Sequence, residues 1–171
     1  MATVHSPLHT NRTQTRVEPV NTPVLVQKTA SQKMYITIGI IFLALGVIGM
    51  VTPEVMGMHF TAAHNLIHFI AGGVTLFVAF QRESRKSYFY GYIAGAFFIA
   101  LGILGFAIGS PAYITTAPSM PADQSLWILI PNRLELGTMD HGIHLILGSF
   151  LVFAGISGKR FLNRIRIAAS K

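Results

Sequence analysis

Four stretches of this chain run without a charged side chain for longer than a water-soluble fold tolerates. Met34 to Pro53 is one, and Phe60 to Gln81, Ser87 to Ala122 and Gly142 to Gly158 are the others. None carries the recurring charged face of an amphipathic surface helix. A helix that crosses a bilayer needs about 17–25 mostly apolar residues. The pattern therefore predicts four spans, at about 34–52, 62–80, 88–110 and 140–157. The expected fold class is all-α, an integral membrane four-helix bundle. Residues 1–33 read as a flexible tail, 34–158 as the membrane domain and 159–171 as a basic tail. The first 33 residues hold no apolar core of the secretory type, so no cleavable signal is expected.

The spans repeat. GIIFLALGVIG, Gly39 to Gly49, matches GAFFIALGILG, Gly95 to Gly105. HNLIHFIAG, His64 to Gly72, matches DHGIHLILG, Asp140 to Gly148. Each half is a glycine-rich span, an outer loop and a span that opens on histidine. The bundle is thus expected to consist of two duplicated helical hairpins with a pseudo-symmetry axis along the membrane normal. Gly39, Phe42, Gly46 and Gly49 share one helix face, and Gly95, Phe98, Gly102 and Gly105 another. Small residues let helices approach closely in lipid. The same stripes would also suit a homo-oligomer or a membrane-protein partner.

The first outer loop is short and holds Glu54 and His59, a histidine expected to be solvated. The second, from about Ser110 to Met139, is long and contains Pro111, Pro118 and Pro121. It reads as a structured connection, with Trp127 as an interfacial anchor.

Composition adds to this picture. Of 171 residues 51% are hydrophobic and 11% charged, against about 25% charged in a typical soluble domain. There is no cysteine, which excludes disulfides, thiolate metal sites and covalent haem attachment. The net charge of +7 does not point to nucleic acid. Arg12, Arg16, Lys28 and Lys33 precede the first span, and Arg82, Arg85 and Lys86 separate the second from the third. Lys159, Arg160, Arg164, Arg166 and Lys171 follow the fourth. Basic residues that flank spans on one side place both termini in the cytoplasm. The terminal KRFLNRIRIAASK could also rest on anionic headgroups. A bacterial plasma membrane or an internal membrane fits equally.

Candidate chemistry lies with the histidines. His64, His68 and Gly72 form one stripe, and His141, His144, Gly148 and Gly155 another. Neutral imidazole ligates metals, and ionisable groups within a span are functional candidates. His68 and His144, at equivalent positions, could supply two axial ligands to one haem b. Alternatively His64, His68, His141 and His144 could gather one divalent metal ion, zinc or copper. Asn65 and Asp140 stand where they could orient an imidazole, and Asp140 is also expected to cap the fourth span. The plainer reading is hydrogen bonding between helices, worth about 0.6 kcal/mol per group. Quinone or lipid contact, proton transfer and partner docking are further roles for such histidines. No serine nucleophile motif and no intramembrane acid pair is present, so no catalytic constellation emerges.

The openings Asn65-x-x-His68-x-x-x-Gly72 and Asp140-x-x-x-His144-x-x-x-Gly148, each after a glycine-rich span, resemble a bacterial family of small four-span membrane proteins that is catalogued as a domain of unknown function. The resemblance covers roughly residues 34–157. It implies membrane location and four spans and supplies no reaction. The plan also looks like small four-helix subunits of membrane redox assemblies. A haem- or metal-binding subunit of such an assembly is one expectation, and a structural or stress-related component without a cofactor is another.

Overall fold

The computed structural model describes residues 28–55, 57–81, 85–115 and 121–170. Four helices carry the fold: α1 (Ala30–Val51), α2 (Ala62–Phe80), α3 (Arg85–Ile108) and α4 (Thr138–Ala169). All four are long and apolar enough to cross a membrane. The predicted tail over 1–33 falls outside the described residues up to residue 27. Beyond that it needs correcting, because α1 begins at Ala30. Thr29 accepts from Gln32 N at 3.2 Å while the Gln32 side chain accepts from Thr29 N at 2.9 Å. This reciprocal cap starts the helix four residues before the apolar run.

The second correction is at the other end. The fourth helix does not stop near 157 but continues to Ala169. KRFLNRIRIAA contains neither Pro nor Gly, so nothing local ends the helix. At 32 residues α4 is about 48 Å long against a hydrocarbon core of about 30 Å. Its basic last turns therefore continue the same helix.

The loops before α2 and before α4 are also more ordered than an all-α reading allows. β1 (Glu54–Val55) and β2 (Met58–His59) form a small antiparallel hairpin turned at Gly57, whose φ of +79° suits glycine. The long second loop holds β3 (Ser110–Ala112), β4 (Asp123–Ile130) and β5 (Leu134–Leu136), one antiparallel sheet in that order. Both sheets lie at the end of the bundle where α2 and α4 begin.

α1 packs chiefly on α2, α3 on α4, and α1 also on α4. Two glycine contacts set these distances. A Cβ on Gly39 would lie 2.7 Å from Leu76 Cγ and 3.2 Å from the Gly72 carbonyl. One on Gly95 would lie 2.7 Å from the Gly148 carbonyl. Tyr35, Ile38, Phe42, Phe98, Leu147 and Leu151 fill the centre. Tyr35 donates its hydroxyl to the Ser87 carbonyl at 2.9 Å, which ties α1 to α3. Ile40, Met50, Ile70, Phe77, Ile93, Phe97 and Phe153 face outward. Buried Ser, Thr, Asn and His side chains sit inside an apolar exterior. A water-soluble bundle has the opposite arrangement.

Candidate functional site

The polar positions of the bundle converge just beneath the two sheets. Thr61 caps α2 by accepting from His64 N at 3.3 Å. This fixes the first turn, so His64 and His68 stack one turn apart on the inner face with ring centroids 4.4 Å apart. From α4, His144 reaches the same place, its ring 6.2 Å from that of His64. One ring nitrogen from each of His64, His68 and His144 lies within 4.8 Å of the other two, and all three residues are buried. Phe42 packs on His68 at 6.0 Å, Phe98 on His144 at 5.6 Å, and Phe60 on both His64 and His68.

Hydrogen bonding fixes one of these imidazoles. His64 Nδ1 lies 2.8 Å from the His59 carbonyl oxygen. A carbonyl can only accept, so Nδ1 carries the proton and donates, and Nε2 keeps its lone pair. That Nε2 has no partner among the described residues, and neither does Nδ1 of His68 or of His144. Asn65 Oδ1 is buried and unpartnered as well. Buried polar atoms normally find a partner; these four converge, while the unpartnered Nδ1 of His141 faces Gly105 instead.

His141 does not join this group. It is fully buried, but its Nε2 donates to the Ser125 carbonyl at 2.8 Å, and its ring packs on Gly105 and Phe106. It fastens α4 to β4. Asp140 sits in the first turn of α4, not at its cap position, which is Gly137. Its Oδ2 accepts from Gly137 N at 2.8 Å and from His59 N at 3.3 Å. Among the described residues neither of these hydrogen bonds reaches the three converging imidazoles. Asp140 holds the backbone of His59, whose carbonyl in turn orients His64.

His59 itself requires a correction. The expected solvated histidine is only 5% exposed. Its Nε2 lies 3.7 Å from Asp123 Oδ2. Asp123 also accepts from the Ser125 amide at 2.8 Å and the Thr138 hydroxyl at 2.7 Å. Burial alone would raise the Asp123 carboxyl. The Thr138 hydroxyl and the amides of Ser125 and Thr138, with His59 beside it, hold it below its ordinary value instead. Glu135 is fully buried. It accepts from the Thr115 hydroxyl, the Thr115 amide at 3.0 Å and the Asn132 amide at 2.9 Å. Burial opposes these bonds, yet they prevail and lower its carboxyl too.

The sheets therefore form a hydrogen-bonded cap over the histidines, joined to them through His59. Sequence reasoning did not find His59, Asp123 and Glu135 as a unit. Each lies in a loop with other polar groups, and no spacing in the sequence joins the two loops.

No protein-family model, no curated protein and no solved structure matches the chain.

Proposed function

We propose that the protein is a multi-pass membrane protein whose histidine cluster, near the outer face, binds a single transition-metal ion. The observation that carries this reading is the group of three buried imidazoles with ring nitrogens within 4.8 Å. Three imidazoles with a fourth position left to water or another donor are a known zinc arrangement, and imidazole suits copper equally. Ligands in a tetrahedral zinc site stand about 3.3 Å apart, given Zn–N distances of about 2.05 Å. Small side-chain rotations would close the cluster to that spacing. The His64–His59 bond has the form that orients a metal-ligating histidine. The phenyl rings packed around His68 and His144 favour a single ion over haem b, because they occupy the space a flat macrocycle would need.

The duplication is part of the same proposal. Phe42 on His68 is repeated by Phe98 on His144, and Gly39 on Gly72 by Gly95 on Gly148. Gly49 on Asn65 is repeated by Gly105 on His141. In every pair the first members lie 56 residues apart and the second 76, the offsets of the two sequence motifs. The loops broke the symmetry, and His64 of one half took the place that Asp140 fills in the other. The four-span family resemblance and cytoplasmic termini in a bacterial plasma or internal membrane belong to this reading, as does service within a redox assembly. The competing reading is structural. It draws on the same His64–His59 bond, which also locks α2 to the hairpin.

The test is elemental analysis and an absorption spectrum of the full chain purified in mild detergent, beside His68→Ala, His144→Ala and His141→Ala. One zinc or copper per chain, lost in the first two variants and kept in the third, is the expected result. A Soret band lost with His68→Ala would replace the ion with haem. A chain that remains metal-free and colourless after incubation with zinc and copper would overturn the cofactor reading in favour of the structural one.

A further inference from the structure

At the end of the bundle opposite the sheets, the start of α1 meets the extended end of α4 around a cavity of about 440 Å³. This lies within the range of small-ligand sites, about 300–1,000 Å³. Its wall includes Lys28, Ser31, Ser157, Arg160, Phe161 and Arg164. Arg160 and Arg164 stand one turn apart on one face of α4. Lys28 is placed by its ammonium 4.2 Å from the Phe80 ring centroid. Among the described residues none of these three cations has an ion-pair partner. The carboxylates of Asp123, Glu135 and Asp140 belong to the opposite end, in β4, β5 and the first turn of α4. The amino end of α1 also opens on the cavity, and its dipole adds positive potential.

Three cations, a helix amino end and the Ser157 side chain around one hollow form a receptor for a phosphate group. Ala30 and Phe161 add an apolar margin that a free phosphate does not need and a glycerol ester does. We propose that this cavity binds a phosphomonoester group, and that the helix extension Lys159–Ala169 exists to complete it. The lipid source rests on the membrane reading above, while the phosphate chemistry does not.

The experiment uses the full chain extracted in mild detergent and titrated separately with phosphatidic acid, phosphatidylcholine and inorganic phosphate. Native mass spectrometry or fluorescence of a labelled lipid would serve as the readout. Saturable one-to-one binding of phosphatidic acid is expected, weakened about tenfold or more by Arg160→Gln/Arg164→Gln. Arg166→Gln, on the same helix but outside the cavity wall, should bind as the unaltered chain does. Competition by inorganic phosphate would make a soluble phosphate the source, and lipid binding without it would make a headgroup the source. Both outcomes support the site. Equal binding of phosphatidic acid and phosphatidylcholine would overturn it, as would equal losses in Arg166→Gln and the double variant. Size-exclusion profiles separate loss of binding from loss of fold, since all three arginines are exposed. Fractionation without detergent would defeat the membrane reading and the lipid source while leaving the phosphate titration decisive.

Discussion

His64 shows how much a single hydrogen bond decides. Its Nδ1 proton is committed to the His59 carbonyl, so its Nε2 lone pair is the only donor it can offer. Asp140 positions that carbonyl through the His59 amide. Asp140→Asn keeps the shape and exchanges the carboxylate for an amide, so it should weaken zinc affinity about 10–100-fold without abolishing it. Competition with a chromogenic chelator measures this. Unchanged affinity would mean that His64 needs no such support. Asp123 and Glu135 carry a pH dependence. Both have folded-state values below those of an unfolded chain, where carboxyls titrate near about 4. Their contribution is complete above that unfolded value and fades as pH falls through the folded ones. The cap should therefore loosen below pH about 4, seen as faster hydrogen exchange at Thr138 and Asn132. Of the candidate residues, the sequence marked His64, His68 and His144 by their spacing and by the repeat. It also grouped His141 with them, because a helix face is about a third of a turn wide and His141 lies three residues before His144. The Ser125 carbonyl that engages His141 comes from a distant strand.

At the scale of elements, the helix crossings rest on Gly39 against Gly72 and Gly95 against Gly148. Leucine at Gly39 would meet Leu76 and the Gly72 carbonyl, and leucine at Gly95 would meet Val152 and the Gly148 carbonyl. Each substitution should destabilise the helix pair by about 1–3 kcal/mol. Thermal unfolding in detergent checks this. Gly73, where a Cβ meets nothing within 4 Å, should accept alanine with little effect and serves as the control. The four helices were legible because the bilayer-length apolar runs are continuous, and α2 matches the reading residue for residue. The ends of α1 and α4 were not. They depend on a Thr29–Gln32 cap and on ordinary helix propensity in a charged segment, neither of which shows in hydropathy. The strands were missed for a related reason. SLWILI in β4 alternates too weakly to declare a sheet face, and its pairing with β3 and β5 is what orders it.

At the scale of the whole molecule, the charge is divided. The acidic side chains that the structure describes lie in or beneath the cap, and Lys159 to Arg166 project from the opposite end. The proposed cytoplasmic placement of both ends predicts that a fusion active only in the cytoplasm should work at the C-terminus of the full chain. A fusion active only after export should fail there, and the reverse result would invert the topology. Taken alone, the chain determined the number of helices and their order, because these depend on local composition and on spacing within one segment. The gathering of His64, His68 and His144, the withdrawal of His141, and the burial of His59 beneath the sheets were decided only in three dimensions. So was the basic cavity at the far end. Each depends on which backbone group or side chain a distant element brings within about 3–5 Å, and a linear pattern carries no record of that distance.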